Sequence, residues 1–215
     1  MQEDYTKNDR HVSSAFSNFY DILESLIFAI VAVVVVFLFF GRLSRVQGSS
    51  MNDTLTHNDN LIVVDPLFLY QPKVGDIIVV DGGEAFTPYT DPIVKRIIAT
   101  EGQSIIINFK EETVYVDGIL LEEPYAKYLY PDPNTDTYKY HEFLKYKKLL
   151  LSEASYDSQN GILSASVPEN HVFVMGDNRL DSADSRFDAI GFVHEDYIVG
   201  KAVFRLFPFS KIGGL

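Results

Sequence analysis

The 215-residue chain contains no cysteine, which excludes structural disulfides, cysteine-ligated zinc and thiol catalysis. Basic residues are also scarce relative to acidic ones, since 18 lysines and arginines stand against 30 aspartates and glutamates. The resulting formal net charge of −12 argues against nucleic acid as a partner, because phosphate binding requires a basic surface. Hydrophobic residues make up 47% of the chain, which is enough to build a substantial core.

One long apolar segment lies near the N-terminus. Residues 26–40 contain only apolar side chains. Because a helix rises about 1.5 Å per residue, the segment and its flanks match the roughly 30 Å hydrocarbon core of a bilayer. A cleaved signal peptide would have a shorter apolar region followed by small residues, whereas Arg42 and Arg45 follow this one. The sequence therefore predicts a retained transmembrane helix over residues 21–41.

The rest of the chain consists of a short tail and one domain. Residues 1–20 are mostly polar, and we predict that they form a flexible tail. Residues 42–215 contain short segments rich in β-branched residues between turn sequences, which is typical of an all-β barrel or sandwich. We interpret the stretch of about 103–170 as an insertion that forms a cap region, because Tyr, Lys, Pro and Asp are frequent in its second half. The predicted fold is mainly β, with a barrel- or sandwich-like domain, this cap region and one preceding transmembrane helix. The predicted strands cover residues 60–65, 77–80, 93–99, 104–108, 113–116, 119–121, 171–175 and 197–204.

Ser50 is a candidate nucleophile. It lies in the sequence Gly48-Ser49-Ser50-Met51, shortly after the apolar segment. A serine hydroxyl is a weak nucleophile and requires a base close to it. Taken alone, Gly-Ser-Ser is also a common loop composition in which the serine is solvated, so Ser50 gains significance only together with a base.

Lys95 is the candidate base. It lies in the apolar sequence Ile93-Val94-Lys95-Arg96-Ile97. Burial can lower the pKa of a lysine because desolvation disfavours the ammonium form. Strand alternation predicts that Lys95 shares a face with Ile93 and Ile97, whereas Arg96 points the other way. The alternative interpretation is a strand lysine whose head group reaches water.

Two other kinds of site fit the sequence less well. A Ser-His-Asp triad would need one of five histidines that are scattered along the chain. The aspartates of the C-terminal region could suggest calcium, but they lack the alternating ligand spacing and central glycine of a calcium loop. The simpler interpretation of these aspartates is a solvated turn paired with Arg179 and Arg186. The histidines are His11, His57, His141, His171 and His194, and the aspartates are Asp177, Asp181, Asp184 and Asp188.

Three sequence blocks together resemble those of the bacterial type I signal peptidases. Their order behind an apolar anchor is far more specific than any one block. The resemblance departs at Asp53, where the family has proline, and at Asp181, where asparagine is usual. The blocks are Gly48-Ser49-Ser50-Met51-Asn52-Asp53-Thr54-Leu55, then Val94-Lys95-Arg96-Ile97-Ile98-Ala99, then Gly176-Asp177-Asn178-Arg179 with Asp181-Ser182-Ala183-Asp184-Ser185-Arg186.

The resemblance implies a membrane-bound serine endopeptidase that removes N-terminal signal peptides from exported preproteins. Such an enzyme uses a Ser-Lys dyad, cleaves after a small P1 residue and requires no metal or cofactor. It implies secretory preproteins and the lipid bilayer as partners. It also implies a single-pass protein of the cell membrane whose catalytic domain lies on the extracytoplasmic side.

The resemblance further implies roles for individual residues. Ser50 would be the nucleophile and would supply one oxyanion donor through its backbone N–H. Lys95 would be the general base, with its amine oriented by the Ser182 hydroxyl. Asp184 and Arg186 would form a supporting acidic-basic pair. The substrate would bind as an added strand between segments 44–50 and 91–95. The substrate-binding residues would be Gly48, Met51, Leu55 and Val94.

Two other functions are compatible with parts of this pattern. Self-cleaving repressor-type proteases share Ser-Lys chemistry, but they carry a DNA-binding region where this chain has its apolar segment. A catalytically inactive, membrane-anchored β-domain could bind exported chains. The joint presence of Ser50, Lys95 and Ser182 argues against that second function.

Overall fold

The computed structural model describes residues 19–34, 41–64, 70–88, 90–128 and 150–215. The chain forms two compact units, Met1–Arg42 and Leu43–Leu215. In the first unit, helix α1 covers residues 19–34, and its large apolar side chains are exposed. No helix within the described ranges is long and apolar enough to cross a membrane. Residues 35–40 of the predicted span lie outside those ranges, as do residues 1–18 of the predicted tail, so both remain predictions.

The second unit is built from strands arranged in two sheets. The larger sheet has eight strands in the order β1-β2-β12-β3-β4-β10-β11, with β13 paired to β12. Its strands are β1 Gly41–Arg45, β2 Asn60–Val64, β3 Ile77–Val80, β4 Ile93–Thr100, β10 His171–Met175, β11 Val193–His194, β12 Ile198–Phe207 and β13 Gly213–Gly214. The predicted mainly β fold is therefore confirmed.

The smaller sheet lies in the region that the sequence marks as an insertion. It has five strands in the order β7-β6-β5-β9-β8. Its strands are β5 Ser104–Asn108, β6 Thr113–Val116, β7 Ile119–Leu120, β8 Ser155–Asp157 and β9 Ile162–Ser166. The buried residues of this smaller sheet, among them Ile105, Val114 and Leu163, belong to one apolar cluster with Ile98 and Phe173 of the larger sheet. Residues 129–149 of the insertion lie outside the described ranges.

Strand β4 is the central element for the site. It pairs antiparallel with β3 on one side and with β10 on the other. Apolar clusters cover both faces of this part of the sheet, one containing Ile77 and Val94 and the other Ile78 and Ile97. Because each face is covered, β4 is buried along nearly its whole length rather than on alternate residues. A polar side chain on β4 is therefore removed from water.

Candidate active site

Lys95 and Ser50 lie in direct contact. Lys95 Nζ donates a 2.7 Å hydrogen bond to Ser50 Oγ. Lys95 projects from the middle of β4 and is only 3% exposed. Ser50 lies in the loop after β1, and this loop is fixed by Met51 and Leu55, which are buried against the sheet. The geometry brings together the two residues that the sequence nominates as nucleophile and base.

Burial determines the proton affinity of Lys95. Desolvation lowers the pKa of its amine from 10.5 to about 8, and the Arg186 guanidinium acts in the same direction. The carboxylates of Asp184, Asp177 and Asp181 oppose this shift. With a pKa of about 8, roughly one tenth of the Lys95 amines are neutral at pH 7. Lys95 can therefore accept a proton from Ser50 near neutral pH, as a general base must.

The same burial predicts that Lys95→Met stabilises the protein at pH 7 by about 3 kcal/mol. Below pH 8 the amine is charged in both the folded and the unfolded state, so folding carries the full cost of burying the charge. Between about pH 8 and 10.5 the folded protein loses the proton first, so this cost fades as pH rises. Urea unfolding of both proteins at pH 7 and pH 10.5 measures the difference. The expectation would be contradicted if Lys95→Met were less stable than wild type, and by the same amount at pH 7 and pH 10.5.

Arg96, the next residue on β4, faces away from Lys95 as strand alternation predicts. Its guanidinium forms a 2.7 Å ion pair with Asp177, whose carboxylate is fully buried. Thr54 Oγ1 donates a 2.6 Å hydrogen bond to the same carboxylate. Arg96 also lies over the ring of Tyr125, 3.9 Å from its centroid. Asp177 thus connects β4 to the loop that carries Ser50.

The loop of residues 176–186 holds the Ser50 segment by its backbone. The Asn178 N–H donates a 2.9 Å hydrogen bond to the Ser50 carbonyl, and Asn178 Nδ2 donates to the Ser49 carbonyl at 3.2 Å. Gly176 packs so closely that an added Cβ would lie 2.5 Å from the Ser50 carbonyl oxygen. Only glycine permits this approach without a shift of the nucleophile loop. The sequence alone did not predict that Asn178 contacts Ser50. The only indication was that Asn178 lies in the third sequence block, next to Asp177.

Asp184 and Arg186 form a buried ion pair. Arg186 Nε donates to Asp184 Oδ1 at 2.7 Å, and the Gly176 N–H donates to Asp184 Oδ2 at 3.0 Å. Burial alone would raise the pKa of Asp184, but the charge and hydrogen bonds of Arg186 hold that pKa below its usual range. The interpretation of these aspartates as a solvated turn is therefore wrong for Asp177 and Asp184. Both are fully buried, because each is neutralised by an arginine.

We expect Asp184→Asn to lower the free energy of unfolding by about 3 kcal/mol, because it leaves the buried Arg186 charge without its partner. The matched control is Asp53→Asn, which removes the carboxylate of an exposed ion pair with Lys127. Exposed pairs contribute at most about 1 kcal/mol, so the control should change stability little. Denaturant unfolding of the two variants and wild type compares these effects. Equal losses in both variants would show that burial of the Asp184 pair has no special importance.

Ser182 lies beside this ion pair. Its hydroxyl oxygen is buried, and the hydroxyl helps to lower the pKa of the Asp184 carboxylate. A Cβ on Gly176 would lie 2.7 Å from Ser182 Cβ, so the two residues pack closely. No hydrogen bond joins Ser182 to Lys95 in the described part of the chain. Its predicted role in orienting the lysine amine thus remains a prediction.

Ser50 and Lys95 open into a cleft of about 590 Å³. Of the four predicted substrate-binding residues, only Gly48 lines this cleft. Met51, Leu55 and Val94 lie instead in a buried apolar cluster with Ile77 and Val79. Sequence reasoning missed the apolar residues that the third block contributes to the cleft. The lining residues are Gln47, Gly48, Ser49, Ser50, Ile93, Lys95, Leu180, Asp181, Ser182, Ala183, Phe187, Asp188 and Ala189.

The other kinds of site are not found in the described part of the chain. There, no three His, Asp or Glu side chains are arranged to hold a metal ion. His57 is the histidine nearest in sequence to Ser50, and its Nδ1 accepts a hydrogen bond from the Gly48 N–H at 3.2 Å. The hydrogen-bond partner of the Ser50 hydroxyl is Lys95 rather than a histidine.

The chain is similar to known proteins over most of its length. The family model described as signal peptidase, peptidase S26, matches residues 19–207. Signal peptidase I T of Bacillus subtilis is 27% identical over 212 residues, which cover 98% of this chain and 97% of that protein. Signal peptidase IB of Staphylococcus aureus is 31% identical over 201 residues, which cover 89% of this chain and 92% of that protein. A crystal structure of a signal peptidase I from Enterococcus faecalis is 24% identical, covers 61% of this chain and 97% of that chain, and has a TM-score of 0.38. The chain therefore belongs to the signal peptidase family, peptidase S26, and is a serine endopeptidase of the type I class.

Proposed function

We propose that the chain removes N-terminal signal peptides from exported preproteins through a Ser50–Lys95 dyad and cleaves after a small P1 residue. The observation that carries this proposal is the 2.7 Å hydrogen bond between Ser50 Oγ and a buried lysine amine at the base of a cleft. A serine nucleophile needs a base with a pKa near the working pH, and burial supplies that property to Lys95.

The proposed reaction is acyl transfer in two halves. Neutral Lys95 takes the proton from Ser50 Oγ as this oxygen attacks the scissile carbonyl, and the resulting ammonium then protonates the leaving amine. A water molecule that gives its proton to Lys95 then attacks the acyl-enzyme carbonyl. The ester bond to Ser50 Oγ breaks, the Lys95 ammonium returns the proton to this oxygen, and the new carboxylate is released. The backbone N–H of Ser50 donates to no acceptor among the described residues, so it is free to stabilise the oxyanion.

The cleft supports binding of an extended substrate. Gln47 and Gly48 contribute to one side, and Ile93 contributes from the start of β4. These residues belong to the two segments, 44–50 and 91–95, between which an added strand is expected. Met51 and Val94 adjoin Ser50 and Lys95 in the chain and are buried, as is Leu55. We propose that these three residues limit the P1 site to a small side chain.

The specificity of this site tests the proposed function. We expect purified protein in detergent to cleave a preprotein with alanine at positions −3 and −1, and to cleave it after the −1 alanine. Replacement of the −1 alanine by phenylalanine should reduce the rate at least about 100-fold, because a small pocket cannot accept a bulky ring. Mass spectrometry of both products locates the cleaved bond. Cleavage at equal rates after phenylalanine would contradict the proposed P1 preference.

We further propose that residues 21–41 anchor the domain of residues 42–215 on the extracytoplasmic face of the cell membrane as a single-pass protein. The exposed apolar side chains of α1, such as Ile22, Leu26 and Phe28, support contact with lipid. Because the chain has no cysteine, a single Gln159→Cys substitution would report the side of the membrane cleanly. An impermeant maleimide should label that cysteine in intact spheroplasts. Labelling only after lysis would contradict this topology.

A further inference from the structure

Asp181 connects the two sides of the active-site cleft. One side is the segment of residues 47–50. The other side is formed by residues 180–183, which belong to the loop of residues 176–186. The Ser49 hydroxyl donates a hydrogen bond to Asp181 Oδ2, and both residues line the cleft beside Lys95. A hydrogen bond to a carboxylate is stronger than one between neutral groups, so this contact restrains the residue next to Ser50.

The restraint adds to backbone contacts from the same loop. The Asp181 N–H donates to the Asn178 carbonyl at 3.2 Å, which fixes the turn that presents the carboxylate. Asn178 in turn binds the Ser49 and Ser50 carbonyls. Ser49 is therefore held at its carbonyl and at its side chain. The position of Ser50 Oγ relative to Lys95 depends on both contacts.

Asp181 also differs electrostatically from the other acidic groups around Lys95. Asp184 is neutralised by Arg186, and Asp177 is neutralised by Arg96. Asp181 forms no ion pair with any lysine, arginine or histidine in the described part of the chain. It thus contributes an unpaired negative charge at the cleft, which acts together with the carboxylates of Asp184 and Asp177 to raise the pKa of Lys95.

We propose that Asp181 is a positioning residue with two separable effects, a hydrogen bond that fixes the nucleophile segment through Ser49 and an unpaired carboxylate that places a negative charge in the cleft beside Lys95. The proposal rests on the proposed roles of Ser50 and Lys95. The hydrogen bond raises the rate at every pH. The charge raises the pH at which the enzyme becomes active, because Lys95 must lose its proton to act as a base.

Substitutions separate the two effects. Asp181→Asn removes the charge but keeps an oxygen that accepts from Ser49. The midpoint of the kcat–pH profile should therefore fall, and the plateau should stay within about threefold. Ser49→Ala removes the hydrogen bond but keeps the charge. Its plateau kcat should fall about tenfold, with the midpoint unchanged. Asp181→Ala should show both changes.

Two further measurements make the test decisive. Asp188→Asn removes the other carboxylate that lines the cleft and is the matched control, for which we expect no shift of the midpoint. NMR titration of ¹³C-labelled lysine reports the Lys95 pKa directly, so the effect of Asp181→Asn on the charge is measured even if the wild type cleaves no preprotein. A wild-type protein that cleaves no preprotein would overturn the proposed function but not the effect of Asp181 on Lys95. An unchanged Lys95 titration in Asp181→Asn, or an unchanged plateau in folded Ser49→Ala, would overturn the corresponding effect of Asp181.

Discussion

Ser50→Ala is expected to reduce the rate of preprotein cleavage about 10,000-fold or more. The substitution removes the only atom of this residue that can form the acyl-enzyme bond, so no amount of substrate binding compensates for it. The surroundings should change little, because Met51 and Leu55 hold the loop through apolar burial and Asn178 holds it through backbone carbonyls. The measurement is the single-turnover rate with excess enzyme and a preprotein with alanine at positions −3 and −1.

A matched substitution distinguishes this effect from general damage. Ser164→Ala removes a serine hydroxyl from β9 in the smaller sheet, away from the cleft, and should cleave at the wild-type rate. Equal cleavage by Ser50→Ala and wild type would mean that another residue is the nucleophile. No cleavage by a folded wild-type protein would instead favour the alternative of a domain that binds exported chains without cutting them.

Local sequence patterns predict most of the larger sheet. Strands β3 and β4 consist mainly of β-branched residues, and their predicted bounds agree with the observed ones to within one residue. Strand β1 was missed because Gly-Arg-Leu-Ser-Arg contains no β-branched residue and directly follows the apolar segment. Strands β8 and β9 were missed for other reasons. Strand β8 has only three residues and pairs with its neighbour β9, whereas β9 also pairs with β5, which is far away in the sequence.

The candidate site was predictable in its residue types but not in its contacts. Alternation on β4 correctly separates Lys95 from Arg96, because that argument needs only the geometry of one strand. By contrast, Ser50 and Lys95 are 45 residues apart, and Arg96 and Asp177 are 81 residues apart. Such contacts depend on the path of the whole chain. For the same reason, the sequence suggested solvated aspartates where the fold buries Asp177 and Asp184 against arginines.

Lys95→Met is expected to abolish cleavage to about the same extent as Ser50→Ala, although it makes the folded protein more stable. Methionine has a similar length but cannot accept a proton, so Ser50 keeps its proton and remains a weak nucleophile. Residues that act as one catalytic unit are not additive, so the double variant Ser50→Ala/Lys95→Met should be no slower than either single variant. A double variant that is much slower than both would show that the two residues act independently.

The pH dependence of the wild type supplies the signature of a lysine base. Since only the neutral amine is active, kcat should rise about tenfold per pH unit below the Lys95 pKa of about 8 and level off above it. Lys201→Met is the matched control, because Lys201 lies on β12 of the same sheet and pairs with Asp76 at 2.6 Å rather than with Ser50. That control should keep both the rate and the midpoint. A wild-type profile that is flat between pH 6 and 9, or full activity in Lys95→Met, would remove Lys95 from the mechanism. The combination of lost activity, raised stability at pH 7 and a midpoint near pH 8 is expected only of a lysine that is buried for catalysis.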